Sequence, residues 1–310
     1  MNDFSNKEPR HEEMTYRRCG RSGLLLSQIG LGFWHNFGAA RDMDVMKSIV
    51  HYAFDHGVTH FDLANNYGPP EGSAETNFGQ ILRSGLGTHR DEMVITTKAG
   101  HSMWPGPYGE WGSRKSLMAS IDQSLRRMNL DYVDIFYSHR PDTETPLEET
   151  MQALVDIVKA GKALYVGLSK YPADMAEKAY RYLREHDVPC LAYQGKYNMM
   201  IRDHEADILP QAAANGVGYI AFSPLNQGLL TDRYLHGIPE GSRITHSSFL
   251  REEHLTAEYM AMINELAAEA EAEGITIAQK ALRWILRRDE VASVIVGASS
   301  IEQLASNLRL

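Results

Sequence analysis

Four polar side chains, those of Asp62, Tyr67, Lys98 and His139, lie at or just beyond the ends of short apolar runs. Tyr67 follows Asp62 in a loop that is rich in glycine and proline. Taken singly, each has an ordinary explanation, such as a loop cap, a lysine lying along apolar surface or a core histidine. Their recurrence at successive run ends is instead typical of a catalytic site, because parallel α/β folds place their chemistry at the carboxyl ends of the strands.

This combination of side chains suits protonation of a carbonyl oxygen while another group attacks the carbonyl carbon. A free phenol, with a pKa near ~10, is a poor proton donor at neutral pH. A neighbouring lysine ammonium lowers that pKa, a carboxylate keeps the lysine charged, and a histidine orients the carbonyl group. The chain carries neither a Gly-x-Ser-x-Gly elbow nor a Cys-x-x-Cys pair, so neither a serine nucleophile nor a metal is expected to do this work.

Strand-like and helical patterns alternate along the chain and must position these side chains. A glycine-containing turn between residues 16–19 and 24–26 predicts a β-hairpin. Strands are then predicted over 28–34, 60–62, 93–98, 132–139, 163–169, 189–194, 219–223 and 294–296. Helices are predicted over 42–56, 73–82, 116–128, 146–159, 174–186, 206–215, 256–273, 277–288 and 301–308. This regular alternation predicts an α/β fold, a parallel (β/α)8 (TIM) barrel with an N-terminal β-hairpin, rather than an open doubly wound sheet.

The barrel would bring polar strand ends to one mouth. These ends are Asp62, Lys98, His139, Ser169, Gln194 and Ser223. A dinucleotide fingerprint is absent, because Gly30-x-Gly32 lacks a third glycine at position 35. We expect these two glycines to allow a close approach of the backbone to a neighbour or a ligand.

Composition narrows the function classes. The chain has 310 residues, 43% hydrophobic and 23% charged, which is ordinary for a soluble globular protein. A net charge of -9 argues against nucleic acid or an anionic membrane as a partner. Cys19 and Cys190 lie far apart and are predicted to be reduced thiols, and no signal peptide or membrane span is evident, so a cytoplasmic location is expected. We expect residues 1–13 to be frayed and 14–310 to form a single domain.

Three motifs resemble those of the aldo-keto reductase family. They are His60-Phe61-Asp62-Leu63-Ala64-Asn65-Asn66-Tyr67-Gly68, Ile95-Thr96-Thr97-Lys98 and Tyr137-Ser138-His139-Arg140, and the resemblance extends from about Tyr16 to Asn307. It implies an NADPH-dependent aldehyde reductase in which Asp62, Tyr67, Lys98 and His139 form the catalytic tetrad, with Tyr67 as the general acid.

The same resemblance implies a cofactor site. The residues expected to contact NADPH are Trp34, Asp62, Ser169, Gln194, Phe222, Ser223, Pro224, Leu225, Gln227, Gly228, Arg233, Arg243, Gly297, Ser299, Gln303 and Asn307. Ser299 and the amides before the last helix would form an anion site, since a helix N-terminus attracts negative charge. Arg233 and Arg243 stand where relatives carry a lysine and an arginine, and Ser306 replaces a frequent glutamate. The arginines could equally be solvated loop charges.

Further motifs around Trp34, Pro69 and Trp104 are similar to those of family members that reduce L-glyceraldehyde 3-phosphate, a group related to potassium-channel β-subunits. This likeness implies a short phosphorylated aldehyde as substrate, contacted by Trp34, Tyr67, Trp104, His139 and Arg140. Arg140 could instead be an ordinary surface charge. The alternatives are a general aldehyde or methylglyoxal reductase, and a slow-turnover NADPH-binding subunit that senses redox state. Assembly into a homo-oligomer is left open.

Overall fold

The structure, a computed structural model, describes residues 9–235, 237–238, 244 and 250–310. Its strands are β1 (Tyr16–Arg18), β2 (Leu25–Ser27), β3 (Ile29–Gly32), β4 (His60–Asp62), β5 (Val94–Ala99), β6 (Val133–Ser138), β7 (Ala163–Ser169), β8 (Cys190–Lys196), β9 (Gly218–Phe222) and β10 (Val291–Val296). From β3 onward each strand pairs in parallel with the next, and β10 pairs with both β9 and β3. The pairing closes a barrel, so the predicted (β/α)8 fold is confirmed.

The hairpin of β1 and β2 covers the amino end of this barrel. Its strands are antiparallel, as predicted. Cys19 and Leu26 are fully buried in the cluster of side chains that fills the barrel interior. Arg17 donates a 2.6 Å hydrogen bond to the carbonyl of Val291, the first residue of β10. Because this end is covered, only the carboxyl end of the strands is left to receive a ligand.

Helices form the outer layer. They are α1 (Met43–Asp55), α2 (Ser73–Arg83), α3 (Arg114–Met128), α4 (Leu147–Lys159), α5 (Ala173–Glu185), α6 (Ile208–Asn215), α7 (Ala257–Ala272), α8 (Ile277–Leu286) and α9 (Ile301–Leu308). Their apolar faces bury the main core against the outside of the barrel. The predicted helices agree to within about two residues at each end, whereas the 3-10 turn at Leu86–Glu92 was not predicted.

Helix α1 illustrates how the sequence fixes these boundaries. Asp42 caps it by accepting hydrogen bonds from two backbone amides of the first turn, a contact worth ~1 kcal/mol. Gly57, just beyond its end, has φ +80°, and a methyl group there would lie 2.4 Å from the carbonyl oxygen of Arg10. The turn Pro9–His11 therefore packs against this helix end, where Arg10 also pairs with Glu92. Residues 1–8, predicted to be frayed, lie outside the described residues.

Gly30 and Gly32 allow the close backbone approach that the sequence predicted. A methyl group on Gly32 would lie 2.6 Å from Cγ2 of Ile295, and one on Gly30 would lie 2.8 Å from its Cδ1. The strand bounds differ from prediction by up to three residues: β10 begins three residues earlier, at Val291, β3 ends two residues earlier, at Gly32, and β5 runs one residue further, to Ala99. Both cysteines, Cys19 and Cys190, are free and buried.

Candidate active site

Lys98 lies at the centre of the candidate site with a fully buried side chain. Its ammonium donates to Oδ2 of Asp62 at 2.7 Å, to the carbonyl of Leu63 at 2.6 Å and to the hydroxyl of Tyr67 at 3.3 Å. A lysine ammonium has three N–H donors, so all of them are used. Burial alone would lower the pKa of Lys98, but Asp62 and Tyr67 more than offset it and the pKa is raised. Lys98 therefore remains charged.

Asp62, the last residue of β4, is held by a set of donors. Besides Lys98, its Oδ1 accepts from the Thr96 hydroxyl at 2.7 Å and from the Gln194 side-chain amide at 2.9 Å. Sequence reasoning missed Thr96. Its position two residues before Lys98 was an available signal, because residues at that spacing share one face of a strand.

Tyr67 lies in the loop after β4, half-buried, with its hydroxyl against Lys98. Burial raises the pKa of Tyr67, and Lys98 offsets only part of that effect. Lys98 thus lowers the phenol pKa as expected, but burial, which was not considered in the sequence analysis, outweighs that effect and the net pKa is raised. The result is a phenol that holds its proton at neutral pH beside a cation that stabilises the phenolate.

His139 follows the last residue of β6 and is buried. Its ring is perpendicular to that of His101 at 4.4 Å and lies edge-on to that of Tyr67 at 5.9 Å between ring centres. Burial, followed by the positive charges of Lys98 and Lys170, lowers the pKa of His139 well below its ordinary value. The imidazole is therefore neutral and offers one N–H donor.

A cavity of about 430 Å³ opens beside Tyr67. The predicted cofactor residues that line it are Trp34, Asp62, Phe222, Ser223, Pro224, Leu225, Gln227, Gly228, Arg233, Gly297, Ser299, Gln303 and Asn307. Lining residues that were not predicted include Asn36, Thr231, Asp232, Thr276 and Ser300. Ser306, flagged from the sequence as a substitution, also lines it. Arg243 lies outside the described residues.

Ser169 and Gln194, also predicted to contact the cofactor, are buried and paired in register on β7 and β8, but they do not line this cavity. The side-chain amide of Gln194 donates a hydrogen bond to Asp62. The Ser169 hydroxyl and the Asn307 amide nitrogen are buried without a partner in the part of the chain that the structure describes. A buried polar atom left unpaired costs about 1–3 kcal/mol. Asn307 lines the cavity, and Ser169 lies beside Gln194, which contacts the lining residue Asp62, so an extended polar ligand such as a nicotinamide dinucleotide fits this arrangement.

The far end of the cavity is shaped by the start of α9. The Gln303 side-chain carbonyl accepts hydrogen bonds from the Ser299 amide at 2.9 Å and from its hydroxyl at 3.0 Å. Ser300 caps the helix by accepting from the Gln303 amide. Arg41 donates to the Ser299 carbonyl at 2.5 Å, which adds a cation that sequence reasoning missed. Nothing in the sequence relates position 41 to position 299, since the contact depends on tertiary packing.

The predicted substrate residues are only partly brought together. Trp34 and Tyr67 line the cavity, and the His139 ring lies edge-on to that of Tyr67. Trp104 lies on the loop after β5, does not line the cavity and is 36% exposed. Arg140 is ion-paired with Glu110, donates to the Gly100 carbonyl at 2.9 Å and lies 3.7 Å from the ring centre of Trp111.

The described residues contain no group of three or more histidine, cysteine or acidic side chains arranged to hold a metal. His56 and His60 have a metal-type spacing in the sequence, but helix α1 ends before His56 and His60 lies in β4. No helix in the described ranges is both long enough and apolar enough to cross a membrane.

Comparison with known proteins supports the chemistry that this geometry suggests. The model of the aldo/keto reductase family matches residues 28–310. L-glyceraldehyde 3-phosphate reductase of Escherichia coli K12 is 50% identical, over 97% of this chain and 88% of its own length. A probable voltage-gated potassium channel subunit beta of Arabidopsis thaliana is 36% identical, over 96% of this chain and 90% of its own length. A putative voltage-gated potassium channel subunit beta of Schizosaccharomyces pombe is 36% identical, over 96% of this chain and 88% of its own length. This chain therefore belongs to the aldo/keto reductase family.

Proposed function

We propose that this protein reduces short aldehydes with NADPH in the cytoplasm, and that Tyr67 donates the proton to the carbonyl oxygen. The observation that carries the proposal is the contact of the Tyr67 hydroxyl with a charged, fully buried Lys98 that is itself held by Asp62. A phenol in such surroundings is suited to transfer its proton to an oxygen that becomes negatively charged.

Each residue then has a defined role in the proposed reduction. The nicotinamide cofactor, when bound, supplies the hydride. Tyr67 keeps its proton until the reaction, because its pKa is raised. As the proton leaves, the Lys98 ammonium at 3.3 Å stabilises the phenolate, and burial keeps water from screening that charge. His139 is neutral and donates one hydrogen bond that orients the carbonyl oxygen.

The choice of NADPH over NADH rests on charge at the far end of the cavity. Arg233 and Ser299 line this end, and Arg41 donates to the Ser299 carbonyl. Arginine–phosphate contacts are among the stronger hydrogen bonds, so these residues suit a 2′-phosphate. Arg243 is also assigned to contact with the 2′-phosphate, on sequence resemblance alone.

A short phosphorylated aldehyde is the substrate class we propose, since the relative from Escherichia coli is named for L-glyceraldehyde 3-phosphate. The alternative within enzymes is a general aldehyde or methylglyoxal reductase. The relatives named as potassium channel subunits favour a second candidate, an NADPH-binding redox-sensing subunit with slow turnover. Turnover on a panel of small aldehydes, compared with the affinity for NADPH, separates these classes.

The proton-donor assignment is tested with Tyr67→Phe, which removes only the hydroxyl. We expect kcat to fall ~10²–10⁴-fold, the usual contribution of general acid catalysis, with little change in the Kd for NADPH. Tyr132→Phe is the matched control, since Tyr132 precedes β6 at the opposite end of the barrel. Turnover close to that of the parent in Tyr67→Phe would refute the assignment.

A further inference from the structure

Lys170 directly follows β7 and places a cation at the mouth of the barrel. Its backbone is left-handed, with φ +62°. Its ammonium lies 3.2 Å from Nε2 of His101 and 5.7 Å from the ring centre of Phe222, which lines the cavity. The His101 ring in turn lies 4.4 Å from that of His139. Only one imidazole therefore separates the Lys170 ammonium from the histidine that orients the carbonyl group.

The charge of Lys170 is not balanced by the protein in the way that its neighbours are balanced. Lys98 is paired with Asp62, and Arg140 is paired with Glu110. Within the described ranges, no carboxylate lies within ion-pair distance of Lys170. An unpaired cation at the entrance of a site, in a protein of net charge -9, favours an anionic ligand.

The protonation states agree with this geometry. Lys170 is exposed as a residue, but its ammonium is partly desolvated by its neighbours, and this desolvation, then the positive charges of Lys98 and Arg140, lowers the pKa of Lys170 to about 8. Burial and then Lys170 lower the pKa of His101 to about 4. At neutral pH His101 is therefore uncharged and accepts a hydrogen bond from a charged Lys170. Among the residues that the structure describes, the ammonium has no other hydrogen-bond partner, so two of its three N–H donors remain for a ligand.

We propose that Lys170, held in place by His101, binds the phosphate of the substrate and so selects short aldehydes that carry this group. The inference rests on the proposed aldehyde reduction and assigns the anion contact to Lys170, since Arg140 already has a carboxylate partner. The carbonyl group lies beside His139 and the phosphate beside Lys170. The carbon chain that joins them must be short, because it spans a single imidazole.

The test compares Lys170→Met, which keeps the apolar stem without the charge, with Lys170→Arg, which keeps the charge. Lys178→Met is the matched control, an exposed lysine on α5 of the same βα unit. The first readout is the ratio of kcat/KM for L-glyceraldehyde 3-phosphate to that for L-glyceraldehyde. The second is calorimetric binding of glycerol 3-phosphate to the NADPH-loaded protein, which needs no turnover. Thermal melting and the Kd for NADPH check each variant for folding.

We expect Lys170→Met to lower the ratio roughly 10- to 100-fold, the effect of losing a hydrogen bond to a charged group, and to weaken glycerol 3-phosphate binding by a similar factor. Lys170→Arg should keep most of both, and Lys178→Met should match the parent. An unchanged ratio and affinity in Lys170→Met overturns the inference, as does a selective loss of NADPH affinity, which would place Lys170 in the cofactor site. If the parent binds glycerol 3-phosphate but reduces no aldehyde, the proposed function is contradicted. The Lys170 assignment is then decided by the calorimetric binding of glycerol 3-phosphate alone.

Discussion

Replacement of Asp62 by asparagine should destabilise the fold and give the protein a new dependence on pH. The side chains of Lys98 and Asp62 are 0% and 3% exposed, so the variant leaves a buried ammonium without its counter-charge. Breaking a buried ion pair from one side costs about 3–5 kcal/mol. Whole domains are stable by only ~5–15 kcal/mol, so Asp62→Asn should lose a large part of the free energy of unfolding.

The sign of the pH dependence follows from Lys98. In the parent its pKa is raised, so its contribution to stability is fully present below the ordinary value of 10.5 and is lost only at more alkaline pH. In Asp62→Asn burial dominates and the folded pKa falls below the unfolded one. The unfolded state then binds more protons at Lys98, so the stability of the variant rises with pH towards that of the parent and the difference between the two narrows.

Urea denaturation at neutral and mildly alkaline pH measures both effects, and the double variant Asp62→Asn/Lys98→Met completes the cycle. Because the double variant leaves no buried charge, its loss should be smaller than the sum of the single losses by up to about 3 kcal/mol. The control is the pair Asp174–Lys178, exposed and 3.8 Å apart, whose coupling should stay within about 0.5 kcal/mol. Equal coupling energies for Asp62–Lys98 and Asp174–Lys178 would refute the reasoning. So would a stability difference between Asp62→Asn and the parent that does not change with pH.

Two further predictions concern ligand recognition. The preference for the phosphorylated substrate should decline as the pH rises through about 8, because Lys170, which faces neutral His101 and the cations Lys98 and Arg140, loses its charge there. Lys170→Arg should show no such decline. A decline shared by the parent and Lys170→Arg would exclude this cause. Arg233→Ala should raise the KM for NADPH while leaving that for NADH nearly unchanged, and an equal effect on the two cofactors would contradict a contact with the 2′-phosphate.

The sequence was sufficient to predict the barrel and the grouping of Asp62, Tyr67, Lys98 and His139 at one end of it. Each of Asp62, Lys98 and His139 lies at or beside a strand end, and the alternation of strands with helices determines where strand ends meet. Tyr67 could be placed because it follows Asp62 by a few residues in the same loop. Such predictions need only local periodicity and the rule that parallel strands align their carboxyl ends.

Contacts between side chains that are distant in the chain could not be predicted in this way. Arg140 was assigned to the substrate, yet its partner Glu110 comes from a loop whose path no periodicity determines. Lys170 was overlooked because its left-handed backbone conformation is unusual for a residue other than glycine. The lowering effect of Lys98 on the Tyr67 pKa was predicted, whereas the larger raising effect of burial was not, since charge proximity is evident from the motif and the degree of burial is not.

The cations around the site also favour Tyr67 over His139 in the proposed role of proton donor. Burial, together with Lys98, Lys170 and Arg140, keeps His139 neutral, and a neutral imidazole is a far weaker acid than imidazolium. Those charges favour any anion that forms among them, including a Tyr67 phenolate and the phosphate of a substrate. A buried ion pair such as Lys98–Asp62 adds little stability compared with an apolar pair of similar volume, so its presence is better explained by chemistry than by folding. The arrangement that keeps His139 a neutral hydrogen-bond donor thus supports both proposals, that Tyr67 is the acid and that the mouth of the barrel binds the phosphate of a substrate.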